Sequence, residues 1–275
     1  MAATEATFPG SGGLNIFYRA WRPEGPPRAV VVICHGVNSH GGQYLWAAER
    51  LAEQGFAVFA LDLRGRGRSD GRRFYVEDAA DYAGDVAGTI AIAKATYPGI
   101  KLFLLGHSAG GVTGSLYVLD HQHEIDGFIC ESFAFQVPAP AFALAIIKFL
   151  GKVVPRLGVL KLHNKDFSRD PAWVAALDAD PYTQNEKQPA ATVAALLYAA
   201  DRMRVDFPTI TIPLLILHGT EDKATMPAGS KFFYETAGSA DKTLKLYEGH
   251  YHDLLADYGK ESVMADIGVW LAARV

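Results

Sequence analysis

The 275-residue sequence holds only two cysteines, Cys34 and Cys130, each inside an apolar run. That excludes a disulfide framework, and two buried thiols in a reducing compartment are expected. Charge of one sign is also scarce in excess: 26 Lys and Arg stand against 30 Asp and Glu, a net charge of −4. With no basic run and no positive field, a nucleic-acid partner is not expected. The longest apolar stretch, about 137–147, is too short to cross a bilayer. Residues 1–13 carry neither a basic region nor an apolar core, so no secretory signal is visible and a cytoplasmic location is expected. No internal repeat or low-complexity tract is present, and no motif asks for a cofactor or a metal.

What the chain does have is 49% hydrophobic residues and 27 glycines, which suit an α/β domain with many tight strand–helix turns. Its length is enough to bury roughly 75% of the surface of the unfolded chain. Taken in order, residues 14–21 alternate as an antiparallel edge strand should, and Ala29 to Cys34 is a β-branched run suited to a central strand. Helical periodicity follows over 41–54, a buried strand over 56–61 and a helix over 78–97 ended by Pro98-Gly99. Further strands are expected at 102–107, 127–130, 212–218 and 243–247, with helices after 108, over 227–237 and over 254–273. From 133 to about 207 the pattern is proline-rich and helical, without a convincing strand. The expected fold is a mostly parallel, doubly wound sheet with core segments 1–132 and 208–275 and a helical cap over 133–207.

The chemistry centres on Gly106-His107-Ser108-Ala109-Gly110, a G-x-S-x-G run between a strand and a helix. That spacing makes a nucleophile elbow, in which small neighbours allow a strained turn to present the serine hydroxyl at the sheet's carboxyl edge. A serine hydroxyl is a poor nucleophile at neutral pH and needs a base, itself oriented by an acid. Chain order suits this. Asp222 follows the next-to-last strand and His252 the last, although Glu221 and Glu131 compete for the acid and His250 for the base. His252 is favoured because it directly precedes the C-terminal helix. The oxyanion needs two backbone donors, expected from Ala109 at the start of its helix and from Val37 in the loop after the first central strand. His35 and His107 read as packed residues, and Asp62 with the Arg64–Ser69 turn reads as scaffolding. A phosphate cradle is rejected there, since no lysine follows and the glycines do not open a helix.

Together Cys34-His35-Gly36, Leu61 to Ser69, Gly106 to Gly111, Ser168-Arg169-Asp170-Pro171, His218 to Asp222 and Tyr247 to His252 resemble the monoglyceride lipase and lysophospholipase branch of the α/β-hydrolases, grouped with serine aminopeptidase-like hydrolases. The resemblance spans nearly the whole chain. It implies the α/β-hydrolase fold, an eight-stranded sheet with the cap inserted after the sixth strand, Ser108, Asp222 and His252 as the triad, and the Val37 and Ala109 amides as the oxyanion hole. Where the family elbow carries a methionine, this chain has Ala109. Where monoglyceride lipases carry a Glu and an Arg near the glycerol headgroup it has Ser39 and Gln43, and a polar position after the catalytic histidine is Leu255. These departures imply a roomier site and a less polar alcohol.

The apolar stretch Phe142, Ala143, Leu144, Ile146, Ile147, Phe149 and Leu150 is expected to be an acyl-binding wall, with Phe142, Ile146, Ile147, Leu150 and Leu255 as substrate contacts. Transient contact with a membrane or lipid surface, aided by Lys148 and Lys152, is a second use of the same stretch. The expected activity is hydrolysis of small-molecule esters with an apolar acyl group through an acyl-enzyme. A peptidase on the same scaffold would want an acidic cluster, for which Asp178 and Asp180 are candidates. A ligand-binding receptor without catalysis is the third reading. A dehalogenase is excluded because its elbow nucleophile would be an aspartate.

Overall fold

The computed structural model describes residues 3–275. Its sheet is built from β1 (Thr4–Pro9), β2 (Asn15–Trp21), β3 (Ala29–Cys34), β4 (Phe56–Leu61), β5 (Leu102–His107), β6 (Gly127–Glu131), β9 (Leu214–Gly219) and β10 (Lys242–Tyr247). The spatial order is β1-β2-β4-β3-β5-β6-β9-β10, with the six strands from β4 to β10 parallel and β2 antiparallel to both of its neighbours. The strand at 14–21 is therefore not the edge. β1 covers it, seating Phe8 against Tyr18 at a ring separation of 6.2 Å. The alternation in Thr4–Pro9 is carried by alanine and one phenylalanine, too weak a pattern to read as a strand.

Successive side chains of a buried strand point to opposite faces, and here each face has its own core. Val30 and Val32 of β3 pack with Val86 and Ile90 of α2 (Ala79–Thr96), with Val112 and Leu116 of α3 (Ala109–His121) and with Phe233 of α7 (Pro227–Thr236). Val31 and Ile33 pack on the other face, with Ala48 and Leu51 of α1 (Leu45–Glu53) and with Ile267 and Leu271 of α8 (Lys260–Ala272). Asp78 caps α2 by accepting from the Ala80 amide at 2.9 Å. The last helix begins later than its apolar pattern suggests. Residues 253–259 are turns, because Asp257 accepts from Arg169 and Tyr251 amides, and Gly259 has φ +88°.

Between β6 and β9 the chain forms α4 (Ala141–Val153), α5 (Pro171–Ala179) and α6 (Ala190–Asp206), with the two-stranded pair β7 (Gly158–Leu160) and β8 (Gln188–Pro189). That small pair departs from the strandless expectation for 133–207. It is only three and two residues long, too short to leave an alternating pattern. Helix α4 lies close on α6, since a Cβ at Gly151 would come within 2.6 Å of the Ala194 Cβ. Helix α6 reaches the sheet core through Ala195, Ala199 and Met203. Among the described residues no helix is long and apolar enough to cross a membrane.

The seam between this segment and the sheet is aromatic. Phe207 is fully buried, with ring centroids 4.4 Å from Phe233 and 5.1 Å from Phe135. Truncating such a residue removes its transfer energy and leaves a cavity. Phe207→Ala is expected to lower unfolding free energy by about 3–5 kcal/mol in urea titration.

Candidate active site

The elbow is set by backbone crowding. A Cβ at Gly110 would lie 2.1 Å from the Cys34 carbonyl oxygen, and one at Gly106 would lie 2.4 Å from the Gly110 carbonyl oxygen. Only glycine lets β3, β5 and α3 converge this closely. Ser108 between them has φ 58° and ψ −118°, a strained conformation for a residue with a side chain. Its amide donates to the Glu131 carbonyl at 2.9 Å, which ties the turn to β6. Gly36 brings the loop after β3 alongside, since a Cβ there would be 3.1 Å from the Ser108 Cβ. Ser108, Val37 and Ala109 therefore border one cavity, which His252 also lines.

Asp222 and His252 meet directly. The His252 Nδ1–H donates to Asp222 Oδ2 at 2.7 Å. The same oxygen accepts from Thr225 Oγ1 at 2.8 Å and lies 3.0 Å from His218 Nε2, while Oδ1 accepts from the Ala224 and Thr225 amides. Burial alone would raise the Asp222 carboxyl, yet His252 and these donors hold it far below the usual carboxylate range. For His252 burial favours the neutral ring, but Asp222 more than offsets it and the imidazole sits above its ordinary value. Ser132, at φ 48°, donates its hydroxyl to the His252 carbonyl at 2.6 Å and so fixes the histidine's backbone. A carboxylate that holds an imidazole by Nδ1 leaves Nε2 to take a proton from a hydroxyl.

The competing residues have other employment. Glu221 is exposed and does not line the cavity. His250 stacks near Tyr247 at a ring separation of 5.5 Å. Glu131 is buried below the site, accepting weakly from the Leu255 amide at 3.3 Å, and burial with the nearby Asp253 carboxylate pushes its pKa up to about 8. His35 is packed under its loop: Nε2 accepts from the Leu63 amide at 2.9 Å, Nδ1 donates to the Gly36 carbonyl at 2.7 Å, and burial pushes its pKa down to about 3. Asp62 is scaffolding, accepting from Arg19, the Gly41 amide and the Arg68 amide, each within 2.9 Å.

Three features around the histidine left no signal in the sequence. His218 accepts from Ser230 Oγ at 2.7 Å through Nδ1, which turns its other nitrogen toward Asp222. His107 is packed, as expected, but against Tyr44 Oη at 2.7 Å, and its ring lies 4.9 Å from that of His252. Asp253 is nearly buried, accepts from the Trp173 indole at 2.8 Å and lies 3.5 Å from His107 Nε2. Spacing along the chain does not reveal the Tyr44–His107 or Trp173–Asp253 meetings, which join distant segments, whereas His218 lies only four residues before Asp222. Among the described residues, His107, His252 and Asp253 are also the one group whose ligand atoms converge, within 4.8 Å, as a metal would need.

The cavity is about 290 Å³ and mostly apolar, with Val112, Leu144, Ile147, Leu196, Leu197 and Leu255 on its walls. Ile147 and Leu255 are thus lining residues. Phe142, Ile146 and Leu150 are not, which corrects the expectation for α4. The helix turns Leu144 and Ile147 inward, so Phe142 and Ile146, two or one residues away, face solvent at 70% and 52% exposure. Leu150 is half-buried beside the cavity wall without reaching it. On the polar side, Ser39 Oγ donates to Gln43 Oε1, and Gln43 Nε2 donates to Asp180 at 2.8 Å.

A strained serine turn on this strand order, at the carboxyl ends of parallel strands, is the mark of the α/β-hydrolases. The profile of the serine aminopeptidase S33 family matches residues 25–259. The chain is 34% identical over 274 residues to a monoacylglycerol lipase of Mycolicibacterium smegmatis, covering 99% of this chain and 98% of that one. It is 32% identical over 267 residues to the monoglyceride lipase of Homo sapiens, covering 95% and 88%. Its structure superposes on the monoacylglycerol lipase of Paleococcus ferrophilus with a TM-score of 0.85 at 29% identity, over 100% of both chains. The chain belongs to the serine aminopeptidase S33 family, in the monoglyceride lipase-like branch of the α/β-hydrolases, and is a serine hydrolase of ester bonds.

Two carboxyls beneath the histidine give opposite, measurable signatures. Asp253 favours the charged form of His252, so Asp253→Asn is expected to move the acid limb of kcat/KM to lower pH. Burial pushes Asp253 itself up to about 6. An unmoved limb would mean that Asp253 does not reach the imidazole. Glu131 also favours the charged form of His252, and it acts on stability as well. Its folded pKa of about 8 exceeds the ordinary 4.5, so between those values the unfolded chain releases a proton that the folded chain keeps. Stability then falls as pH rises through that window, and Glu131→Gln is expected to flatten the decline of Tm between pH 5 and pH 8.

Proposed function

We propose that this enzyme hydrolyses monoacylglycerol-like carboxylic esters with apolar acyl chains, through an acyl-enzyme on Ser108. The observation that carries the reading is one cavity, bordered by Ser108 and His252, whose walls are aliphatic and whose histidine is held by a buried aspartate. Ser108 Oγ attacks the ester carbonyl as His252 Nε2 takes its proton, and Asp222 stabilises the imidazolium that forms. The Val37 and Ala109 amides receive the oxyanion, the second aided by the positive end of α3. Collapse of the tetrahedral intermediate expels the alcohol, which takes the proton from His252. Water then repeats the sequence on the acyl-enzyme and frees the acid.

Segment 133–207 acts in this reading as the cap that closes the acyl cavity, with the core in 1–132 and 208–275. The outer face of α4 suits a lipid surface: Phe142, Ile146, Phe149 and Val153 are 70%, 52%, 63% and 59% exposed, flanked by Lys148 and Lys152. A peptidase reading loses its support, because the acidic pair is already engaged. Asp180 accepts from His40, Gln43 and the Tyr182 amide, and Asp178 accepts from Asn164.

A panel of p-nitrophenyl esters of increasing chain length, run beside a monoacylglycerol and an aminoacyl anilide, tests the reading. The wild type is expected to prefer medium or long chains, and Ser108→Ala to lose at least about 10⁴-fold in kcat. Retained turnover in Ser108→Ala, or turnover of the anilide alone, sinks the proposal.

A further inference from the structure

Asp222 shares one oxygen between two histidines. His252 Nδ1 lies 2.7 Å from Oδ2, and His218 Nε2 lies 3.0 Å from the same atom. His218 sits near the end of β9 and is fully buried, with its Nδ1 2.7 Å from the hydroxyl of Ser230, itself fully buried on α7. A line of side chains thus runs from Ser230 through His218 and Asp222 to His252, which borders the cavity. The backbones at the far end of this line are already locked. The Thr220 amide donates to the Tyr247 carbonyl at 2.9 Å and the Glu221 amide to the His250 carbonyl at 3.0 Å. A Cβ at Gly219 would lie 2.4 Å from the carbonyl oxygens of His250 and Tyr251. Within the carboxylate, the Ala224 and Thr225 amides fix Oδ1 at 2.8 and 2.9 Å. Oδ2, the oxygen that holds the catalytic imidazole, depends on side chains.

We propose that His218 is a positioning residue of the reaction, whose Nε2–H holds Asp222 Oδ2 in line with His252 Nδ1. The inference rests on the reading of Ser108, His252 and Asp222 as a triad and adds a fourth side chain behind it. The tautomer follows from the partners. A charged carboxylate only accepts, so Nε2 carries the proton, which leaves Nδ1 as a bare acceptor for the Ser230 hydroxyl. Ser230 thereby excludes the other tautomer, in which Nε2 would meet Asp222 lone pair to lone pair. Thr225 is a less constant donor to the same oxygen. Its hydroxyl has one proton and also lies 3.2 Å from the Ser132 carbonyl and 3.3 Å from His218 Nε2. The His218 ring is held at both nitrogens and cannot turn away. Packing alone does not ask for an imidazole here, since β9 otherwise runs Leu214-Leu215-Ile216-Leu217 and a buried polar ring is costly unless its bonds are used. Side chains that must stay in a productive geometry are locked in this way by the bonds behind them.

The test measures kcat and KM on p-nitrophenyl butanoate for His218→Asn, His218→Gln and Asp222→Ala, with each kcat divided by the amount of Ser108 titrated with a fluorophosphonate. That division removes any difference in folded fraction. The asparagine amide ends near the Nδ1 position and leaves Asp222 without the donor, whereas the glutamine amide reaches the Nε2 position and supplies it. His218→Asn is expected to lose at least about tenfold in kcat with KM within about twofold, and His218→Gln to stay within about threefold of the wild type in both. The far-downfield proton resonance of His252 Nδ1–H is expected to move in the asparagine variant and to persist in the glutamine one. An unchanged kcat in His218→Asn, an equal loss in both variants, a loss carried by KM alone or an unmoved resonance overturns the role. Asp222→Ala separates this inference from the triad reading, since it is expected to lose roughly 10⁴-fold in kcat. An unaffected His218→Asn beside that loss removes the inference alone, whereas an Asp222→Ala that keeps its rate removes both.

Discussion

Everything catalytic in this protein depends on how closely the backbone of α3 approaches the end of β3. At Gly110 the contact with the Cys34 carbonyl leaves no room for a methyl group. That approach forces the turn at Ser108, sets the serine beside Gly36, and brings the first residue of the helix to the same cavity as the loop after β3. Strain of this sort persists only where the surroundings over-determine it. Here the Ser108 amide is held by β6 and the flanking glycines by two other chains of backbone, so the turn has nowhere to relax.

Around that fixed point the structure stacks buried polar groups that are mostly matched. Asp222 collects five donors, which is why a carboxylate can remain charged with so little solvent. Arg66 is buried against Glu186, Gln188 and Tyr82 and joins the Arg64–Ser69 turn to the segment above the site. A paired buried ion contributes little net stability, but removing one partner is severe, so such a pair fixes geometry more than it adds energy. Beneath His252 the match is incomplete, since His107 Nε2 and Glu131 Oε2 are buried without a partner.

Much of this was legible in the chain itself, for identifiable reasons. Continuous β-branched runs such as Ala29–Cys34 and glycines at forced turns are local, so β3, β5 and the elbow could be read directly, as could the order of Ser108, Asp222 and His252 along the chain. The face of α4 could not. An all-apolar helix has no polar stripe to say which side turns inward, so nothing in its sequence marks Phe142 and Ile146 as the solvent side. β1 lacked enough apolar residues to announce itself, and 253–259 is kept from helix by Asp257 reaching Arg169, a contact across 88 positions of chain.

The bond from Trp173 to Asp253 has a consequence for modularity. Helix α5 belongs to the inserted segment, yet its indole grips a carboxylate one residue from the histidine of the core. The insertion is thus not a detachable accessory. Exchanging it for a relative's would alter the electrostatic surroundings of His252 as well as the shape of the aliphatic cavity. Grafts between members of the family would have to carry position 173 together with position 253, and a chimera cut at the obvious loops would separate them.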